Sequence, residues 1–396
     1  MSDAIPAAAA EAPALRYTLW QMVKYMLGLG TWGFGGPVAL VGYMYRDLVE
    51  KRGWISESDY KEGLTLAQLM PGPMAAQLAM YLGFVHFRVL GAALVGLAFV
   101  LPSFFMVVAL GALYVTYGGL GWMQAVFYGV GAAVIGIIAM SAWKLTTKNI
   151  GRDKLLWAVF LVNAALTIVL QAEMVWLVIG AGILVWLLRA PPKQWLRGGT
   201  LHAAAAPIAA AFALGNADLH KLAQIATYFA YAGTFVFGSG LAIVPFLYGG
   251  VVKEYGWLTD RQFVDAVAVA MITPGPVVIT TGFIGFLVQG FWGAVAAAAA
   301  TFLPCYLLTI LPAPYFRKHG KRPGLVAFID GATAAAIGAI AGSVVVIGQR
   351  SVTDWVTALL ALATAAILWR FKKVQEPVIV LAAALIGLAA YPLMHG

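Results

Sequence analysis

Two short stretches of this chain carry backbone that a regular helix cannot hold. One runs from Gly33-Phe34-Gly35-Gly36-Pro37 to Pro71-Gly72-Pro73, the other from Phe237-Gly238-Ser239-Gly240 to Pro274-Gly275-Pro276. Each joins a glycine cluster to a Pro-Gly-Pro inside apolar sequence, where proline and glycine interrupt the helical ladder. Their register is constant. Phe34 matches Phe237, Trp54 matches Trp257 and Pro71 matches Pro274, each 203 residues apart with no gap. Beyond the Pro-Gly-Pro the spacing is 202: Pro102 matches Pro304, and 129–139 (GVGAAVIGIIA) matches 331–341 (GATAAAIGAIA). Ungapped matches at Trp, Pro and Gly make the chain an internal duplication, not a chance likeness of Ala/Gly-rich helices.

The medium follows from composition. Hydrophobic residues are 62% and charged residues 10%, against roughly 25% charged in soluble proteins. Runs such as 89–115 exceed the ~20 residues needed to span a bilayer. The expected fold is an all-α polytopic membrane protein with two inverted, antiparallel homologous repeats, broken or re-entrant helices and about 10 or more membrane segments. The net charge of +9 reads as basic cytoplasmic loops, not as a nucleic-acid surface. With one cysteine, Cys305, and five scattered histidines, neither a disulfide within the chain nor a metal site is expected. No cofactor is expected either. The domain reading is a disordered tail at 1–15 without a signal-peptide pattern, a first repeat at 16–190, a linker at 191–220 and a second repeat at 221–396.

Along the first half, the pattern predicts helices over 16–31, 37–51, 57–70 and 74–87. Ser56 is the N-cap of the third, and Pro37 suits a first helical turn. Apolar segments follow at 89–115, 121–143, 154–170 and 173–189. Asp330 reads as a cap for a helix beginning at Gly331. Loop charge gives the handedness. The loop 144–154 carries Lys144, Lys148, Arg152 and Lys154, while its counterpart near 349–354 has only Arg350. Conversely, the uncharged 116–121 answers to the basic 317–322 (RKHGKR), and 171–173 (QAE) to 370–373 (RFKK). Basic loops stay inside, so equivalent loops are predicted on opposite faces.

Irregular backbone at membrane depth is tolerated only in a protein-lined or watery cavity. A helix restarting after such a break offers unpaired N–H groups and roughly +0.5 of an elementary charge, which together suit an anion. The candidate binding residues are therefore Gly35, Gly36, Pro37, Pro71, Gly72 and Pro73 in the first half. In the second they are Gly238, Ser239, Gly240, Pro274, Gly275 and Pro276. Neutral hydrogen-bonding side chains stand beside them: Thr31 and Thr234 at matching places, Gln77 and Thr280 about one turn beyond each Pro-Gly-Pro, and Thr273. Candidate coupling or gating groups are Arg46 and Asp47, replaced by Gly249 and Gly250 in the second half, and the aligned carboxylates Glu62 and Asp265. Arg46 and Asp47 read first as a solvated interfacial ion network and only second as a gate. An intramembrane carboxylate is a functional candidate by default. No nucleophile–base pair accompanies the breaks, so no enzyme is expected.

The stretches 34–54 (FGGPVALVGYMYRDLVEKRGW), 69–84 (LMPGPMAAQLAMYLGF), 237–257 (FGSGLAIVPFLYGGVVKEYGW), 273–286 (TPGPVVITTGFIGF) and 300–308 (ATFLPCYLL) resemble the chromate ion transporter family in its long, two-domain form. The resemblance covers about 16–392. It implies a secondary carrier of the inner membrane, multi-pass with antiparallel halves, that exports chromate and confers resistance. Chromate is similar to sulfate in size, charge and shape, so a carrier of sulfate or another oxyanion is the near alternative, and an anion channel the alternative of another class. A coupling proton or counter-anion and a homodimer stay open as partners beside the lipid bilayer. Departures from the family pattern fall at the breaks: Leu40 where a histidine is favoured, the run Met74-Ala75-Ala76-Gln77, and Ser239-Gly240 in place of the second Gly-Gly.

Overall fold

The structure, a computed structural model, describes residues 17–34, 36–117, 121–170, 175–191, 219–234, 236, 243–315, 323–371, 374 and 376–395. The N-terminal tail, Gly35, the second glycine break at Phe237, Gly238, Ser239 and Gly240, and most of the linker lie outside them. So do the loops at 118–120, 171–174 and 316–322, and residues 372–373.

Every regular element among the described residues is helical. Helix α1 (Leu19–Trp32) opens on a capping box between Thr18 and Gln21. Helix α2 (Gly36–Met44) passes into a π-helical turn, Tyr45–Lys51. Helix α3 (Glu57–Leu69) starts at Ser56 as predicted, with the Asp59 amide donating to Ser56 Oγ at 3.0 Å. The stretch Met74–Tyr117 breaks at Arg88 (φ 55°, ψ −147°) into α4 (74–87) and α5 (89–117). Helices α6 (Gly121–Asn149), α7 (Lys154–Leu170) and α8 (Val175–Arg189) follow.

The second half repeats the order. It has α9 (Leu219–Gly233), α10 (Ile243–Leu247) with a π-helical turn Tyr248–Glu254, and α11 (Asp260–Ile272). A 3-10 turn, Val277–Ile279, leads into Thr280–Ile310. That stretch breaks at Gln289 and Gly290 (φ 60°, ψ −151° at Gly290) into α12 (280–288) and α13 (291–310). Helices α14 (Pro323–Ser351), α15 (Trp355–Arg370) and α16 (Glu376–His395) complete the chain.

Three expectations are corrected. The helix predicted to stop at 143 runs to Asn149. Lysine is a good helix former, and the Thr146 and Thr147 hydroxyls bond back to Ala142 and Trp143 carbonyls. Asp330 caps nothing: it lies inside α14 and accepts from Arg189 at 3.4 Å. The second Pro-Gly-Pro restarts with a 3-10 turn, so Thr280 opens the α-helix instead of lying one turn into it.

The breaks are chain reversals. Tyr25 Oη on α1 donates to the Tyr43 carbonyl at 3.2 Å, and the matching Tyr228 donates to the Phe246 carbonyl at 3.0 Å. The arms on either side of each glycine break therefore lie side by side. Likewise Gly63 on α3 packs on the Tyr81 ring of α4, where a Cβ would overlap the ring. The chain turns back again at Arg88 and Gly290. There Gly83 meets the Gly91 carbonyl, and Gly285 meets the Gly293 carbonyl, with no room for a Cβ. Helices α1, α3, α9 and α11 have 14, 13, 15 and 13 residues. Each is about 20 Å long at ~1.5 Å per residue, short of a hydrocarbon core of roughly 30 Å. Among the described residues, five helices are long and apolar enough to cross a membrane, within 74–117, 121–147, 277–315, 326–349 and 376–394. In the first and third of these the long arm is α5 or α13.

The halves interlock. Helices α5 and α13 pass head to tail: Tyr306 Oη donates to the Val89 carbonyl at 3.0 Å, and the Phe104 ring lies 6.3 Å from that of Phe291. The matched run at 129–139 supplies crossing points. Gly129 and Gly136 on α6 press on the Ala383 and Ala361 carbonyls of α16 and α15. Their matches Gly331 and Gly338 on α14 press on the Ala181 and Phe160 carbonyls of α8 and α7. Small residues let helix backbones approach where lipid supplies no hydrophobic drive. Each half thus packs its last two helices on the long helix of the other.

Candidate functional site

The Pro-Gly-Pro tip of each half meets the residue before or beside the glycine break of the other, in two pairs. The Gly72 amide donates to the Val236 carbonyl, and the Gly275 amide donates to the Gly33 carbonyl at 3.2 Å. Donor and acceptor come from opposite halves each time. In the 203-residue register this is one bond made twice. Gly72 has φ 145° and Gly275 has φ 97°, values that L side chains rarely adopt. An added Cβ would overlap the Gln77 amide at Gly72 and Ser103 Oγ at Gly275.

The carbonyl before each glycine is held differently. Gln77 Nε2 donates to the Pro71 carbonyl at 2.7 Å from the same hairpin. Ser103 Oγ on α5 donates to the Pro274 carbonyl at 2.6 Å across the halves. Pro73 precedes α4, Pro276 is the N-cap of the 3-10 turn, and Gly36 and Pro37 form the first turn of α2. Gln77 is fully buried, and among the described residues its Oε1 is the one buried side-chain polar atom without a hydrogen-bond partner.

The threonines are near the tips but occupied. Thr31 donates to Leu27, Thr234 to Tyr231, Thr273 to Ala270 and Thr280 to Val277, at 2.6–3.0 Å. Each proton closes its own helical turn, so a hydroxyl would have to rotate before it could donate to a ligand. The arrangement is a junction of glycine backbone with neutral polar side chains, whose donors are already spent between the halves or on their own turns.

The family model for the chromate transporter matches residues 20–186 and 223–388, both sides of the duplication. The chain belongs to the chromate transporter family. It is 67% identical to the chromate transport protein of Cupriavidus metallidurans over 381 residues, 96% of this chain and 95% of that protein. It is 62% identical to a probable chromate transport protein of Synechococcus elongatus, covering 94% and 95% of the two. A chromate transport protein of Pseudomonas aeruginosa is 31% identical, covering 94% and 92%. No solved structure matches. As a family member with several long apolar helices, the protein is a multi-pass membrane protein.

The candidate coupling groups of this family member lie apart from one another. Arg46 and Asp47 sit in the first π-helical turn, at the end of the hairpin away from its tip. Arg46 Nε lies 3.0 Å from Asp47 Oδ1, and Lys51 Nζ lies 3.3 Å from it. Tyr25 Oη adds a bond to Asp47 Oδ2 at 3.4 Å. The Arg46 hydrogen bonds hold the Asp47 carboxyl below the usual carboxylate range. Arg46 is half exposed, which suits an interfacial ion network. Asp265 on α11 is buried and accepts from Tyr114 Oη on α5 at 2.7 Å. Its match Glu62 on α3 is only partly buried. The sequence reading missed Val236, Ser103 and Tyr114. Ser103 and Tyr114 act across 171 and 151 residues, and no local pattern marks such partners. The duplication offered one clue: Tyr114 matches Phe316 at the 202 spacing, so its hydroxyl belongs to one half only.

Proposed function

We propose that the four hairpin tips form the substrate site of a secondary transporter of tetrahedral oxyanions. Its function is chromate efflux across the inner membrane, giving chromate resistance. The observation that carries this is the pair of symmetry-matched bonds, Gly72 to Val236 and Gly275 to Gly33, in a chain similar to named chromate transport proteins. An anion that claimed those glycine amides would have to part the halves at their tips. Binding and rocking would then be one event, as alternating access requires. The head-to-tail passage of α5 and α13 and the loop charges support an inverted repeat of 16–190 and 221–396, with ten or so membrane-embedded segments. Asp265 is the better coupling carboxylate, because it is buried and faces the other half.

Proteoliposome uptake with chromate, sulfate, molybdate and phosphate tests the substrate. Saturable chromate uptake driven by a counter-gradient is expected, and a current that never saturates would make the protein a channel. Cysteines at Thr147 and Lys318 should both resist labelling from the cell exterior. Labelling of either would remove the inverted repeat.

A further inference from the structure

The unpaired acceptor at the first Pro-Gly-Pro tip constrains the form in which an oxyanion can bind. Gln77 lies in the first turns of α4, a helix of 14 residues by its 74–87 span, with its amide against Gly72. The amide cannot turn over, because Nε2 donates to the Pro71 carbonyl at 2.7 Å and a carbonyl has no proton to give. Oε1, on the same amide that lies against Gly72, is therefore an acceptor beside that tip, fully buried, with no donor from any described residue. A buried acceptor left without a donor is costly. A fully deprotonated dianion makes this worse, since every oxygen it presents is also an acceptor. An oxyanion that keeps one proton presents a single O–H and less charge.

Resting on the oxyanion-transporter reading, we propose that the tips take the oxyanion in its singly protonated form, its O–H donating to Gln77 Oε1. Gln77 is then a specificity-determining residue. Chromate holds its last proton up to near-neutral pH. Sulfate and selenate lose theirs in strongly acid solution, so at neutral pH they have nothing to offer Oε1. The second half has Thr280 at the matching place, and its hydroxyl is bonded to the Val277 carbonyl. The discrimination therefore comes from the first half alone.

Other titrating groups lie on the surrounding elements. Helix α1 carries Lys24 and Tyr25, α3 carries Glu57, Asp59, Tyr60, Lys61 and Glu62, and the turn after α2 carries Tyr45, Arg46, Asp47, Glu50 and Lys51. Helix α4 itself carries Tyr81 and His86, and α5 opposes Tyr114 to Asp265 of α11, which also carries Arg261. None of these reaches Oε1, but a proton on any of them could also make binding depend on pH. Selenate separates the two cases, because it matches chromate in shape and keeps no proton.

The experiment is binding of micromolar chromate, too dilute to form dichromate, and of selenate to the purified full chain from pH 6 to 8.5. Affinity for total chromate is expected to fall about tenfold per pH unit above the ligand's own dissociation, with selenate weak at every pH. In Gln77→Leu, chromate binding should flatten and selenate should become a competitor. Gln77→Thr, which installs the residue type of the other half, serves if the leucine variant fails to fold. Flat chromate binding with selenate equally tight overturns the proposal. So do identical pH slopes for both ligands, which would put the proton on the protein, and a parental slope in the folded Gln77 variants. Failure of every oxyanion to bind would instead remove the transporter reading on which it rests.

Discussion

The π-helical turns Tyr45–Lys51 and Tyr248–Glu254 occupy matching places in the two halves and hold different things. In the first, Asp47 gathers Arg46, Lys51 and Tyr25 into an ion network. In the second, Gly249 and Gly250 stand where Arg46 and Asp47 would be, and a cavity of about 530 Å³ opens between Thr227, Tyr231, Lys253 and Glu254. Tyr228 fills the approach to Gly250 so closely that a Cβ there would overlap its ring. The backbone is shared down to the π-helical turn and the tyrosine–carbonyl bond of each hairpin. The side chains are not. Duplication has kept the features that shape the chain and let the chemistry diverge, so that an ion network around Asp47 in one half answers to two glycines in the other.

The same division runs through the tips and the carboxylates, and substitutions can break it or sharpen it. The largest effect is expected where the halves are alike. Gly72→Val and Gly275→Val must adopt a strained φ at about 1–3 kcal/mol, and each side chain also overlaps Gln77 or Ser103. Chromate binding should be abolished in both, read on protein that still melts cooperatively. Parental affinity in either folded variant would make the tips mere hinges. Next come the unlike carboxylates. At saturating substrate, where binding no longer limits, Asp265→Asn is expected to flatten the pH dependence of transport and Glu62→Gln to leave it. The reverse outcome would move the coupling group to the first half.

Smaller effects concern stability. Gly250→Ala forces Tyr228 aside and should cost about 1–3 kcal/mol, as overpacking does. Asp47→Asn, at the matching position, should lower the melting temperature only slightly. Equal losses would mean that the two turns carry the same load after all. The smallest change is expected to be a gain. Arg88 holds φ 55° where its match is Gly290 at φ 60°. Arg88→Gly should therefore raise stability by about 1 kcal/mol in thermal or denaturant unfolding.

Much of this was legible in the sequence because Gly and Pro act locally. The start of α3 follows from the Ser56 cap, and the end of α4 before Arg88 and the bounds of α7 from where apolar runs give way to charged and polar residues. A breaker says that a helix stops, but not which way the chain then goes. The reversals therefore appeared only with Tyr25 on Tyr43 and Gly63 on Tyr81. Nor could composition show that the threonines by the tips spend their protons on their own helices. The Ser103 bond to Pro274 and the Tyr114 bond to Asp265 join residues far apart in the chain. They exist only because the halves interlock.

The central claim is that substrate sits at the paired hairpin tips, not in the cavity beside the second π-helical turn. Anomalous scattering at the chromium edge from crystals grown with chromate locates the ion directly. A single peak beside Gly72, Gln77 and Gly275 is the expected result. A peak between Tyr231 and Lys253, with none at the tips, would contradict it.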